Sequence, residues 1–144
     1  MTNPAPLHPA HAPATVPDAN ARLLQRLEGG VMLALGVVAY AWLGQSWLLF
    51  GLLLLAPDLA MLGYLRSTAA GTLTYNLAHT YVAPALLALL GLALGPLAFG
   101  LAAIWTAHIG IDRLLGYGLK LASGFEHTHL GPIGKARRAE TAAR

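Results

Sequence analysis

The chain has 144 residues, of which 56% are hydrophobic and 10% are charged, and it contains no cysteine. Soluble domains carry about 25% charged residues, so the low share in this chain indicates an integral membrane protein. The lack of cysteine excludes disulfides and thiolate metal sites. The formal net charge of +3 comes from basic residues that mostly flank apolar segments, so membrane topology explains them and we predict no nucleic-acid partner.

Residues 1–20 are rich in Pro and Ala and have no apolar period, which predicts a disordered tail. Four apolar segments follow, and each is long enough to cross a bilayer. The first helix begins near Ala21 and enters the membrane around Leu27, and the other segments cover about 47–65, 73–92 and 97–119. Because short connections make neighbouring helices antiparallel, we predict an all-α fold, an antiparallel four-helix transmembrane bundle over residues 21–120 with a C-terminal segment over 121–144.

The basic residues lie on one side of this bundle. Arg22 and Arg26 precede the first segment, Arg66 lies in the middle loop, and five more follow the fourth segment. The two remaining loops contain no Lys or Arg. The positive-inside rule therefore predicts that both termini are cytoplasmic.

Each predicted span carries a polar or ionisable side chain near its cytoplasmic end. At 1.5 Å per residue, most of these groups lie about 5 to 11 Å inside the boundary, and one lies about 16 Å inside. Each costs about 2.5–3.5 kcal/mol at a helix centre, so we expect them to face the bundle interior and find partners there. The set comprises Glu28, Asp58, Asn76, His79, His108 and Asp112.

Carboxylates and imidazoles that converge in a bundle core are typical of a metal site. We predict that Asp58, His79, His108 and Asp112 bind a divalent metal such as zinc; His108 and Asp112 are four residues apart and share a helix face. The C-terminal His129 is a further candidate ligand if the tail folds back.

Three residues are assigned supporting roles in this hypothesis. Glu28 would be a further ligand or a general base, and Asn76 would orient a ligand or substrate. Arg113 points about 100° away from Asp112 around the helix, and its guanidinium is suited to receiving phosphate.

Two other interpretations stay open. In the first, Asp58, Asp112 and Arg113 form a buried ion-pair network beside neutral histidines, in a structural or assembly protein. In the second, the protein handles protons or ions or is a small transporter, and it would then need a homodimer because four spans leave little room for a pathway. The nearly apolar outer half argues against conduction.

Five segments in this order resemble a small bacterial integral membrane family known as a domain of unknown function, number 4260: LEGG, PDLAMLGYL, YNLAHTYVAP, HIGIDRLLGYGLK and THLGPIGK. The resemblance covers about residues 24–135. It implies a bacterial inner-membrane protein and no established activity.

A second resemblance is to inner-membrane metal-dependent hydrolases. Pro57-Asp58, His79, and His108 with Asp112 match elements of their pattern. The usual N-terminal Thr-His motif is missing, since Thr128-His129 stands at the other end, and Glu28 holds the early acidic position. Water activated by the predicted metal would attack an ester or phosphoester presented from the cytoplasmic leaflet, so we expect membrane lipid as the partner and a lipid or phosphoester as the substrate.

Overall fold

The computed structural model describes residues 18–143, and the predicted disordered tail over 1–20 falls mainly on residues 1–17, outside that range. The described chain is mostly helical. Its helices are α1 (Ala19–Trp42), α2 (Trp47–Leu53), a 3-10 helix (Ala56–Leu65), α3 (Thr68–Ala78), α4 (Val82–Leu94), α5 (Pro96–Leu115) and α6 (Gly134–Ala142). Its strands are β1 (Lys120–Leu121), β2 (Gly124–Thr128) and β3 (Gly131–Pro132).

Helix α5 packs against both α1 and α4 and supplies much of the buried surface. Small residues bring α1 and α5 into backbone contact. A Cβ added at Gly110 would lie 2.8 Å from the Gly29 carbonyl oxygen, and one added at Gly36 would lie 2.7 Å from the Ala103 carbonyl oxygen. Such close approach of helices is characteristic of packing in lipid, where small residues replace bulky ones at the interface.

The segment between α2 and α4 forms a second unit in which the 3-10 helix packs on α3. The Thr74 hydroxyl donates a 2.7 Å hydrogen bond to the Ala60 carbonyl and joins the two helices. The 3-10 helix begins with Pro57 in its first turn, where the missing N–H is tolerated.

Helices α3 and α4 are bent by 46° relative to each other. Pro84 explains the break, because it has no N–H to donate to the carbonyl of Thr80 and its ring clashes with that carbonyl. Pro57 and Pro84 both lie in the first turn that follows an interruption of regular α-helix.

Two helical stretches in residues 18–143 are long and apolar enough to cross a membrane: Ala19–Trp42, and Trp47–Leu65, which joins α2 to the 3-10 helix. The bent pair α3 and α4 would make a third if it acts as one span. These apolar helices are compatible with the membrane protein that the composition predicts.

A small antiparallel sheet with the strand order β1-β2-β3 follows α5, and the predicted all-α fold did not include it. Its turns depend on Gly124 and Gly131, whose φ values of 135° and 113° favour glycine. The Glu126 carboxylate accepts hydrogen bonds from the N–H groups of Lys135 and Ala136, at 3.2 and 2.9 Å, and so fixes the start of α6 against β2.

Candidate metal centre

Four of the predicted ligands meet at one point. Asp58, His79, His108 and Asp112 each offer one ligand atom, and these atoms all lie within 4.8 Å of one another. They come from three parts of the chain: Asp58 from the first turn of the 3-10 helix, His79 from the end of α3, and His108 with Asp112 from one face of α5. The two breaks in regular helix therefore each place one ligand.

The individual distances fit a small coordination sphere. The His79 Nε2 lies 3.1 Å from the His108 Nε2, 3.3 Å from the Asp58 Oδ1 and 3.5 Å from the Asp112 Oδ2. The His108 Nε2 lies 3.7 Å from the Asp58 Oδ1 and 4.0 Å from the Asp112 Oδ2. Four ligands at about 2.0–2.2 Å from a tetrahedral ion stand roughly 3.3–3.6 Å from one another, so the observed separations are close to those of a zinc site.

The orientation of His79 is set by Tyr75 one turn earlier. The His79 Nδ1 lies 2.8 Å from the Tyr75 carbonyl oxygen, which can only accept, so Nδ1 carries the proton and donates. In neutral His79 the lone pair is then on Nε2, the atom that faces the other three ligands. The Tyr75 ring also stacks on the imidazole, with centroids 3.7 Å apart and planes 12° apart.

Tyr75 and Arg113 supply further contacts around the four side chains. The Tyr75 hydroxyl donates to the Asp112 Oδ2 at 3.2 Å. The Arg113 Nη2 donates to the His79 carbonyl oxygen at 3.0 Å and therefore holds the break between α3 and α4. Hydrogen bonds of this kind hold metal ligands in place and raise metal affinity.

The group has a buried side and an open side. The His79 and His108 side chains are 2% and 1% exposed, whereas those of Asp58 and Asp112 are 31% and 18% exposed. A ligand or substrate would therefore approach from the carboxylate side. Two imidazoles and two carboxylates can bind a divalent ion, and on the open side water or a substrate oxygen would have to enter as a fifth ligand or in place of one carboxylate.

The comparison with protein families matches residues 22–133 to a model described as Domain of unknown function (DUF4260). The chain belongs to this family. The resemblance predicted from the sequence is thereby confirmed, and the described helices of this DUF4260 member agree with a membrane protein. No curated protein and no solved structure matches the chain.

The family description names no activity, so the function of this DUF4260 member has to be argued from its site. The weaker resemblance to metal-dependent hydrolases stays a prediction.

The remaining predicted site residues lie outside the group of four. Glu28 is exposed on α1. The Asn76 amide pairs with the backbone of Lys120, accepting from its N–H at 2.7 Å and donating to its carbonyl oxygen at 2.9 Å, so Asn76 attaches β1 to α3. The roles assigned to Glu28 and Asn76 stay predictions.

His129 joins the sheet to the end of the membrane domain. Its Nδ1 accepts a 2.8 Å hydrogen bond from the Leu119 N–H, and its own N–H donates to the Leu119 carbonyl at 3.0 Å. Burial, together with the positive charge of Arg113, lowers the pKa of His129. The tail does fold back, but His129 is not one of the four clustered ligands, and its role as a ligand stays a prediction.

Lys120 is a feature of this DUF4260 member that the sequence did not single out as part of the site. Only 4% of it is exposed, and its ammonium lies 3.9 Å from the Phe125 ring centroid and 4.9 Å from that of Tyr75. Burial lowers the pKa of Lys120, and the negative charges of Asp112 and Asp58 partly oppose that shift. The Lys120 side chain therefore interacts electrostatically with the two carboxylates of the cluster.

Proposed function

We propose that this protein is a membrane-embedded hydrolase that depends on a divalent metal, with zinc the best fit. The observation that carries the proposal is the set of separations among the ligand atoms of Asp58, His79, His108 and Asp112. A divalent ion in such a shell can polarise a carbonyl or phosphoryl oxygen and activate water. The residues themselves supply two neutral imidazoles, two carboxylates and the hydrogen bonds that orient them.

The proposed substrate is an ester or phosphoester presented from the cytoplasmic leaflet. The greater exposure of the two carboxylates supports an approach from their side. Arg113, whose guanidinium contacts the His79 carbonyl, is close enough to the site to receive a phosphate.

For topology, we propose four spans in the bacterial inner membrane, with α5 as the fourth span and both termini cytoplasmic. The positions of Arg22, Arg26 and Arg66 support this orientation. Reporter fusions at the two termini and in the loop between α1 and α2 test it, because a cytoplasmic signal from that loop would contradict the proposed orientation.

One observation favours a metal-free alternative. The His108 Nδ1 is buried and has no hydrogen-bond partner among the described residues. If that nitrogen carries no proton, Nε2–H of His108 donates to the His79 Nε2 at 3.1 Å. The cluster would then be a buried hydrogen-bond network that fixes helix packing in a structural protein.

Metal analysis separates the two possibilities. Tag-free protein purified in mild detergent should contain about one equivalent of a divalent metal, and chelation should lower its thermal stability. His108→Ala and Asp112→Asn should each lose most of the metal yet still insert into the membrane, because insertion is set by hydrophobicity and basic flanks.

His127→Ala is the matched control, since His127 is exposed in β2 and is not one of the clustered residues. It should keep the metal. Less than about a tenth of an equivalent in the wild type, with stability unchanged by chelator, would establish the metal-free network instead. Loss of ester or phosphoester hydrolysis in the same two variants, and not in His127→Ala, tests the enzymatic part.

A further inference from the structure

A cavity of about 470 Å³ lies away from the metal centre, between the start of α1, the end of α5, strand β3 and the start of α6. Its size is within the range of small-molecule sites. The charged side chains that line it are Arg22, Arg26, Arg137 and Glu140. Three guanidinium groups and one carboxylate give the lining a formal net charge of +2, which favours an anionic ligand.

Arg26 is held in place by a hydrogen bond, and Arg22 lies against a turn of the sheet. The Arg26 Nε donates a 2.8 Å hydrogen bond to the Leu114 carbonyl oxygen at the end of α5, which uses one of its five N–H donors. The Arg22 Nη1 lies beside Gly131, where an added Cβ would stand only 3.3 Å away. Gly131 also has a φ of 113°, so glycine both permits this turn and leaves space for the guanidinium.

The position along α1 indicates where the anion comes from. Arg22 and Arg26 lie in the first two turns, just before the apolar part of the helix. The neighbouring Leu24 and Leu27 are 60% and 55% exposed and do not line the cavity, whereas Leu23, which is 56% exposed, is part of its lining. At the boundary between acyl chains and lipid phosphates, we expect apolar side chains that point outward and, beside them, arginines that point into a cavity.

We propose that this cavity binds the phosphate of an anionic phospholipid head group from the leaflet next to the start of α1. Guanidinium groups bind phosphate oxygens through paired, charge-assisted hydrogen bonds, and basic pockets at helix ends are suited to lipid head groups. Free phosphate shares this chemistry, but the exposed leucines next to the cavity favour a lipid. None of the four proposed metal ligands lines the cavity, so this site does not depend on the proposed hydrolase.

The test is binding of phosphatidylglycerol, phosphatidylcholine and inorganic phosphate to the whole protein in a neutral detergent, measured by native mass spectrometry and by thermal shift. The wild type should bind phosphatidylglycerol in preference to phosphatidylcholine. Arg137→Gln and Arg22→Gln should each weaken that binding about tenfold, as expected for the loss of a charge-assisted hydrogen bond.

Arg138→Gln is the matched control, because it removes the same charge one residue further along α6 and Arg138 does not line the cavity. It should leave phosphatidylglycerol binding unchanged, and unchanged circular dichroism of all three variants ensures that a loss is not misfolding. Equal weakening by Arg137→Gln and Arg138→Gln, or no preference for phosphatidylglycerol, overturns the site. Inorganic phosphate that binds as tightly as the lipid overturns the lipid as its source.

Discussion

The contact between α1 and α5 gives a sharp test of the fold through Gly110. A Cβ at this position would lie 2.8 Å from both the Gly29 carbonyl oxygen and the Leu33 Cα, whereas ordinary contact begins at 3.4 Å. Both neighbours are backbone atoms that cannot rotate away. The Leu33 backbone nitrogen would be closer still, so the two helices must separate by more than about 0.6 Å along this contact, which loosens the packing of the small residues around it.

We expect Gly110→Ala to lower the free energy of unfolding by about 1–3 kcal/mol, the usual cost of an overpacked contact. For a chain of this length, that corresponds to a fall in Tm of roughly 3 to 15 °C, measured by thermal unfolding in detergent.

Gly51→Ala is the matched control, because a Cβ at Gly51 in α2 meets nothing within 4 Å. Alanine is also the better helix former, so this variant should be at least as stable as the wild type. If Gly110→Ala unfolds at the same temperature as both the wild type and Gly51→Ala, then α1 and α5 do not touch through their backbones.

Three further predictions concern the surroundings of the metal centre. Tyr75→Phe keeps the stacked ring but removes the hydrogen bond to Asp112. Metal affinity, measured in a chelator competition, should therefore fall about 10- to 100-fold. An unchanged affinity would contradict the role of that hydroxyl. Asn76→Ala removes both hydrogen bonds to the Lys120 backbone, at a cost of about 1–3 kcal/mol in stability. Limited proteolysis should therefore cut the C-terminal segment sooner, while the metal is retained. Loss of metal would instead support the predicted role of Asn76 in orienting a ligand. Because the pKa of His129 is lowered on folding from about 6.5, its contribution to stability should be complete above pH 6.5 and decrease as the pH falls below it, as measured by Tm against pH. His129→Asn keeps an acceptor oxygen near the Nδ1 position and should flatten that dependence. An equally steep profile in the variant would contradict the assignment to His129.

The proximity of four side chains could be predicted because insertion depth depends only on counting residues from helix ends. Asp58, His79, His108 and Asp112 fall in one layer by that count, and the structure brings their side chains together. Depth says nothing about rotation around a helix axis, so the same count also groups Glu28 with these four, although Glu28 does not lie in the cluster that the structure forms.

The rotation of α1 is set by its buried residues Gly29, Gly36 and Tyr40, which form a stripe toward the rest of the protein. Glu28 is one residue, or about 100°, away from Gly29 and is exposed. The seven-residue spacing of the two glycines was the signal in the sequence that could have fixed this face.

The sheet and the burial of Lys120 could not be predicted in the same way. A lysine directly after an apolar segment is typical of a membrane interface, and strands of two to five residues leave almost no periodicity. Their stability comes from contacts that are distant in sequence, such as the pairing of Lys120 with Asn76. A single sequence contains no signal for such pairs.

The spread of the four clustered side chains along the chain has a consequence for biogenesis. Asp58 is synthesised about 50 residues before Asp112, and ribosomes add about 5–20 residues per second, so several seconds separate the two. The same interval separates their emergence from the ribosome, so the 3-10 helix that carries Asp58 is outside while two of its three partners, His108 and Asp112 on α5, have yet to emerge. The nascent chain therefore exposes Asp58 at the translocon before two of its partners are present, and a delay in synthesis between α4 and α5 would prolong its exposure to quality-control proteases.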